Sequence, residues 1–320
     1  MNKHHKFVFF FKKIYLSINS LLEKYLNKLN LKKLFKKKPN FFRSNKAFLT
    51  FFTLIVLILF YLSIPHIYTK SKINNEIKDQ LYEKFSINFI FAKNLSYKIF
   101  PRPHFIINDS QILDDEAIIS DVKKLKIYIS LDKLFSIKNI NIKELVIENS
   151  NFNLNKENYH FFIKLLNNNF LEKILKIKNS NIFYHDNNKE VLFLNKIIKM
   201  KYYYNSNNLK NIVYSENKIF NIPYFYEVVN DKKMKKIFSK INFQYPKLQI
   251  QNELDYNDNL KKGFSNLILN KNKSKFDYQF NEDYFIFDFY DRLTNPNFIY
   301  KGKINFKPFY SSLNGKLDKI

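Results

Sequence analysis

Side chains able to do chemistry are sparse in this sequence and poorly spaced for it. The 6 histidines, His4, His5, His66, His104, His160 and His185, never fall into a metal-ligand spacing such as H-x-x-x-H. Packing or surface roles are expected for them, with no metal site. The absence of cysteine removes disulfides, thiolate-bound zinc and a Cys nucleophile. Such a chain fits an oxidising compartment without requiring one. The acidic cluster Asp114, Asp115 and Glu116 lies between expected strands, where a solvated loop is the natural reading rather than an acid/base pair or a calcium site. Three isolated glycines, Gly263, Gly302 and Gly315, cannot form a phosphate-cradling loop, and no Ser-centred nucleophile elbow is present. The expectation is a protein with no catalytic residue and no cofactor.

The residues with a regular pattern are apolar instead. In "KKLKIYISL" the residues Leu125, Ile127, Ile129 and Leu131 alternate with Lys124, Lys126, Tyr128 and Ser130. Strict alternation with β-branched residues predicts a strand with one dry and one wet face. The signature continues in Ile140 and Ile142, Leu145 and Ile147, Phe152 and Leu154, Leu175 and Ile177, then Ile182 and Tyr184. Later stretches are Ile241 with Phe243 and Tyr245, Phe276 with Tyr278 and Phe280, and Ile304 with Phe306. Consecutive antiparallel strands are expected, interrupted by one helix at about 157–168. The residues from Leu125 to Tyr184 have two readings: ordinary core, or the lining of an apolar groove.

One stretch is written twice. "LVIENSNFNL", residues 145–154, returns as "LKIKNSNIFY", residues 175–184. Apolar parity is odd at Leu145 and Ile147 but even at Phe152 and Leu154, so the Asn-Ser-Asn triplet is a bulge or a tight turn that re-registers the chain. With so little glycine, left-handed positions fall to Asn and Asp. Stacked copies would extend one sheet with a continuous apolar face.

The formal charge of +26 would ordinarily suggest nucleic acid or an anionic membrane surface. Lys, Asn, Ile, Phe and Tyr all have A/T-rich codons, however, and glycine does not, so base composition accounts for much of the lysine excess. No nucleic-acid partner is expected.

From Ala47 to Thr69 the chain reads "AFLTFFTLIVLILFYLSIPHIYT", without Lys, Arg, Asp or Glu. Its apolar part, about 18 residues at about 1.5 Å each, approaches the roughly 30 Å of a hydrocarbon core. No Ala-x-Ala cleavage pattern follows it. Lys32, Lys33, Lys36, Lys37, Lys38, Arg43 and Lys46 precede the segment, against Lys70, Lys72 and Lys78 with Glu76 and Asp79 after it. The positive-inside rule then keeps the N-terminus cytoplasmic and exports the rest. Upstream, Ile14, Ile18, Leu22, Leu26 and Leu29 are spaced as one helix face, which suits either an amphipathic helix on an anionic leaflet or an unstructured basic tail. Ile73, Ile77, Leu81 and Phe85 predict a short amphipathic helix covering the start of the next domain. The expected organisation is 1–46 basic segment, 47–69 transmembrane helix and 70–320 exported β domain.

This order of elements resembles the AsmA family and the wider AsmA-like and TamB-like envelope proteins. The resemblance rests on the span and on "INNEIKDQLYEKFSINFIFAKNLSYKIFPRPHFIINDSQIL", with its short helix, strand and turn at Pro101 and Pro103. It continues through "DEAIISDVKKLKIYISLDKLFSIKNINIKELVIENSNFNL" and "LEKILKIKNSNIFYHDNNKEVLFLNKI", covering roughly residues 47–200. The long basic N-terminus and the scarcity of glycine depart from the family pattern. The resemblance implies a mainly β fold: an N-terminal transmembrane helix, then an elongated, curved antiparallel sheet with few short helices, forming a groove with an apolar concave face. It further implies a single-pass inner-membrane protein with a periplasmic domain. Its partner would be phospholipid, moved between inner and outer membrane or used in outer-membrane biogenesis. The alternative is a non-transporting scaffold that contacts other envelope proteins through its sheet edges. Groove candidates are Leu125, Ile127, Ile129, Leu131, Ile140, Ile142, Leu145, Ile147, Phe152, Leu154, Leu175, Ile177, Ile182 and Tyr184.

Overall fold

The computed structural model describes residues 45–93, 95–114, 117–132, 134–136, 138, 140–167, 173–270, 272–291, 298–306 and 308–317. The expected amphipathic face from Ile14 to Leu29 lies outside them, as do Asp115 and Glu116 of the acidic cluster. The chain divides into two compact units, 1–61 and 62–320.

Helix α1, Asn45–Ser63, forms the described part of the first unit, apart from its last two residues. Phe51, Leu54, Leu57 and Phe60 stand exposed along it, at 56%, 55%, 60% and 63%. The continuous span expected over 47–69 is broken. Pro65 lies in the 3-10 turn Ile64–His66 that follows α1, and a proline has no N–H with which to continue an α-helix. No single helix among the described residues is long and apolar enough to cross a membrane; the pair Thr50–His66 and Lys70–Phe85 meets that length and composition test only together.

The second unit opens with helix α2, Lys70–Phe85, which buries Ile73, Ile77, Leu81 and Phe85 as their four-residue spacing predicts. Ser86, in the left-handed region at φ 53°, closes it by donating its N–H to the Tyr82 carbonyl. One sheet then takes up all the strands of the described chain. Its first strands are β1 Asn88–Phe91, β2 Ser96–Lys98, β3 His104–Asp114, β4 Ala117–Ile129 and β5 Ile142–Leu154. Helix α3, Phe161–Asn167, separates these from β6 Ile174–His185, β7 Val191–Asn205, β8 Lys210–Ile219 and β9 Ile222–Asp231. The remainder are β10 Lys236–Phe243, β11 Leu248–Asp255, β12 Lys261–Leu269, β13 Asn272–Phe280, β14 Tyr284–Asp291, β15 Phe298–Phe306 and β16 Phe309–Leu317. Apart from β2, which pairs beside β3, strands lie in sequence order from β3 to β16, with β1 on the other side of β3.

All pairs are antiparallel except β5 with β6, which corrects the expectation of an unbroken antiparallel series. A parallel neighbour needs a crossover long enough to return the chain to its starting end, and residues 155–173 with α3 supply it. The consequence is that the two copies of the repeat lie side by side in register, Leu145 beside Leu175, Ile147 beside Ile177 and Phe152 beside Ile182.

The triplet is a kink within a strand rather than a turn. Asn149 and Asn179 have φ of 55° and 48°, which rotates the chain by one position and moves the inward residues from odd to even numbers. Asp109 at φ 57° does the same in β3. No glycine has positive φ, whereas Phe220 and Asn221, both left-handed, form the two-residue turn between β8 and β9. After each kink comes a buried serine. Ser120 and Ser150 share a 2.5 Å hydroxyl contact, and the Ser150 N–H donates to Ser180 Oγ at 3.1 Å.

Candidate functional site

Because cross-strand partners project to the same face, register alone traces the apolar face through the whole sheet. One row runs Phe105, Ile127, Leu145, Leu175, Tyr202, Val213, Val228 and Ser239. It continues through Asn252, Ser265, Phe276, Phe289, Tyr300 and Gly315. A single face therefore extends from β3 to β16.

The face has two regimes. Over the first strands, Leu125, Ile127, Ile129, Ile140, Ile142, Leu145, Ile147, Phe152, Leu154, Leu175 and Ile177 are all buried. They form a filled core. Helix α3 crosses this region: Phe152 meets Phe161 and Phe162 at ring separations of 6.1 and 5.2 Å. Farther along, Asn211 and Asn230 donate to the Leu166 carbonyl and to Asn167 Oδ1. Ile182 and Tyr184 are half-buried, and Leu131 lies beyond the end of β4 with 52% exposure. Tyr245 likewise lies past the end of β10, in an exposed turn.

From β10 onward the same face is half-buried. Ile237, Ile241, Ile250, Leu254, Leu267, Phe276, Tyr278, Phe285, Phe287 and Ile304 are neither enclosed nor freely exposed. Among the described residues the densest helix packing on the sheet falls at β1 and β8. Aromatic rings tile the face at β13 and β14: Phe276 lies 5.3 Å from Phe287, and Tyr278 lies 5.8 Å from Phe285. Opposite these rings stand glycines. A Cβ on Gly263 would lie 2.5 Å from the Tyr278 ring, and one on Gly302 would collide with the Phe287 ring. The rings therefore lie down over bare backbone, an arrangement that lets an aromatic shield a strand glycine. Gly315 faces Tyr300 in the same way with more room, at 3.1 Å.

Polar groups on this face are turned on one another. Tyr278 reaches from β13 across β12 to donate to Asn252 Oδ1 on β11 at 2.8 Å, and Ser265 donates to the same atom at 2.7 Å. Tyr224 similarly reaches from β9 to Asn195 on β7 at 3.0 Å. Burial pushes the Tyr224 phenol up to about 12 and raises that of Tyr278, so both are neutral donors at physiological pH. The result is a surface of rings and aliphatic groups with little unspent hydrogen-bonding capacity, suited to solvating hydrocarbon.

The opposite face is polar. A cleft of about 450 Å³ opens on it between β9 and β12, lined by Val229, Phe238 and Phe264 together with Glu227, Lys240 and Glu253. His104 is buried, with Nδ1 2.6 Å from the Arg102 carbonyl and its ring stacked on Tyr128. Asp114 binds Lys164 at 2.8 Å and lies 3.7 Å from His160. Among the described residues no three His, Asp or Glu side chains gather as metal ligands.

The groove candidates that lie in strands thus share one face, but most of them lie where it is already filled. Phe285, Phe287 and Phe289 were missed, although "FIFDF" carries the two-residue period that would have found them. The role of the glycines depends on cross-strand register and has no local signal. No protein-family model and no curated protein matches the chain.

Proposed function

We propose that this protein is a membrane-anchored, AsmA-like carrier whose apolar sheet face binds phospholipid acyl chains, serving lipid transport between inner and outer membrane or outer-membrane biogenesis. The observation that carries this reading is the half-buried stretch of the face from β10 to β15, floored by rings lying over Gly263 and Gly302. Covering apolar surface contributes roughly 25 cal/mol per Å², and an alkyl chain can cover it without needing hydrogen bonds. The concave groove of the reading is this stretch rather than the filled core at β3–β6. The exposed side chains of α1 support a membrane anchor, and the lysines before Ala47 support a cytoplasmic N-terminus and a periplasmic sheet.

The test uses the full chain with a benzophenone amino acid in place of Phe276, Phe287 or Leu145. Irradiation in phospholipid-containing membranes should yield lipid adducts at 276 and 287 and none at 145. Absence of adducts at both 276 and 287 overturns the reading.

The alternative is a scaffold that holds other envelope proteins by sheet-edge pairing. It is supported by β16, the last strand in the sheet among the described residues, where Phe309, Tyr310 and Leu313 are exposed. Protein adducts from position 313, with no lipid adducts from 276 or 287, would favour it.

A further inference from the structure

The polar face carries two different charge patterns. Across β8 to β12 one row alternates in sign: Lys210, Asp231, Lys236, Asp255, Lys262. The Lys210–Asp231 pair closes to 3.0 Å, and Lys236 pairs with Glu253 on the adjacent row at 2.6 Å. Even a direct acidic pair, Asp277 beside Asp288, is flanked by Lys275 at 2.8 Å and Lys301 at 3.7 Å.

Around β7 the rule is broken three times in succession. Lys176 faces Lys201, Lys178 faces Lys199, and Lys196 faces Lys218. Directly opposed like charges destabilise a sheet. Neighbouring strands are about 4.8 Å apart, inside the roughly 8 Å over which physiological salt screens charge. By register Glu148 stands beside Lys178 and Glu216 opposite Lys199, Glu227 shares the row of Lys201 beyond Tyr214, and Glu144 lies on the neighbouring row. Glu144 pairs with Lys176 and Arg102, and Glu148 with Lys126. Among the described residues no carboxylate lies within ion-pair distance of Lys178, Lys196, Lys199, Lys201 or Lys218. Lys201 instead lies 4.5 Å over the Tyr203 ring. A lysine excess from base composition explains many lysines, but not three lysine pairs facing one another around β7 beside a row that alternates across β8 to β12.

At the end of these rows the surface becomes apolar. Leu192 and Leu194, on the same face as Lys196, are 59% and 42% exposed, and Phe220 in the β8–β9 turn beside Lys218 is 77% exposed. Unpaired lysines bordered by exposed Leu and Phe match a lipid interface, where cations meet phosphates and apolar side chains enter the acyl boundary. Nucleic acid would use the lysines but leave Leu192, Leu194 and Phe220 in water.

We propose that the polar face of β6–β8 docks on the anionic headgroup surface of a lipid bilayer, with Lys178, Lys196, Lys199, Lys201 and Lys218 meeting phosphates and Leu194 and Phe220 inserting. This goes beyond the acyl-chain reading and does not rest on it, since the two use opposite faces of the sheet.

The chain has no cysteine, so Asn187→Cys in the β6–β7 turn gives one site for an environment-sensitive fluorophore. The labelled full chain, held in phosphatidylcholine nanodiscs, is mixed with vesicles containing about 30% phosphatidylglycerol, a strongly anionic surface, or with pure phosphatidylcholine vesicles. Blue-shifted emission and co-flotation are expected only with the anionic vesicles. Replacing the five lysines by Gln should weaken binding at least tenfold, and replacing them by Arg should preserve it. A Gln set at Lys261, Lys262, Lys273, Lys301 and Lys303 should leave it within threefold. Phe220→Ser, in an exposed turn, should weaken it at least threefold even if the Gln variant fails to fold. The proposal is overturned by equal binding to neutral vesicles, by equal loss in both Gln sets, or by an unchanged Phe220→Ser. It is also overturned if a single-stranded oligonucleotide reproduces the shift and displaces the vesicles.

Discussion

Tyr278 lies over Gly263 and donates its hydroxyl to Asn252, so one phenol on β13 spans the bare backbone of β12 to reach β11 at 2.8 Å. The ring forms part of the floor of the apolar face and its only polar atom is satisfied at the far end. Gly302 under Phe287 repeats the packing without the hydrogen bond.

The two glycines predict different double-mutant behaviour. At Gly302 the three atoms nearest the added Cβ of Gly302→Ala all belong to the Phe287 ring, whereas at Gly263 it also lies 2.6 Å from the Glu253 carbonyl oxygen. Each single substitution should cost about 1–3 kcal/mol by overpacking. Combining Gly302→Ala with Phe287→Leu should recover about 1 kcal/mol or more of the summed cost. Combining Gly263→Ala with Tyr278→Leu should recover much less, because backbone cannot move aside. Urea unfolding of the four single and two double variants gives the comparison.

The repeated triplet makes a conformational prediction. Asn149 is left-handed at φ 55°, where an alanine is disfavoured by roughly 1–2 kcal/mol and glycine is not. Asn149→Ala should lower stability by about that amount, while Asn149→Gly should be close to neutral. Equal effects of the two in thermal unfolding would remove the kink as the cause of the parity switch.

The serine ladder should be sensitive to position. Ser180→Ala removes the acceptor of the buried Ser150 N–H, leaving a donor unpaired at a cost of about 1–3 kcal/mol. Ser120→Ala should cost less, because the Ser150 hydroxyl still reaches the Asp121 carbonyl at 3.2 Å. Reversal of that order by chemical denaturation would count against the ladder.

Acid should weaken the β5 region through Glu144. Burial opposes its charge, but Lys176 at 2.7 Å and Arg102 at 3.2 Å outweigh burial and hold the carboxyl below its ordinary range. A depressed folded-state pKa contributes stability that is present above the unfolded carboxylate pKa and is lost as pH falls through the folded value. Stability should therefore decline from the normal glutamate range downward. Glu144→Gln should flatten that part of the profile while lowering stability at neutral pH. A wild-type and Gln profile that run parallel would show the ion pairs are not coupled to folding.

Much of the fold was legible because strand pleating is local. The period-two residues from Leu125 to Tyr184 predicted which side chains share a face, and Asn-Ser-Asn predicted where that face changes parity. The four-residue spacing of Ile73, Ile77, Leu81 and Phe85 predicted α2 by the same kind of short-range geometry. These follow from the chain's own backbone directions over a few residues. The direction of β6 was less accessible. The repeat was visible at a spacing of thirty, and so was the helical stretch between its copies, yet only pairing showed that the copies run parallel, residue against residue.

What the sequence by itself determined is an apolar face, built from alternating strands and re-registered by left-handed Asn. Only the tertiary structure decided how much of that face remains available. The path of the crossover brings α3 against Phe152, and most of the period-two residues of β4 to β6 are core rather than groove lining. Cross-strand register, which arises from contacts far apart in sequence, set Gly302 beneath Phe287 and Lys178 opposite Lys199. A residue's type and period specify the side to which it points. Its cover and its neighbour depend on the rest of the chain.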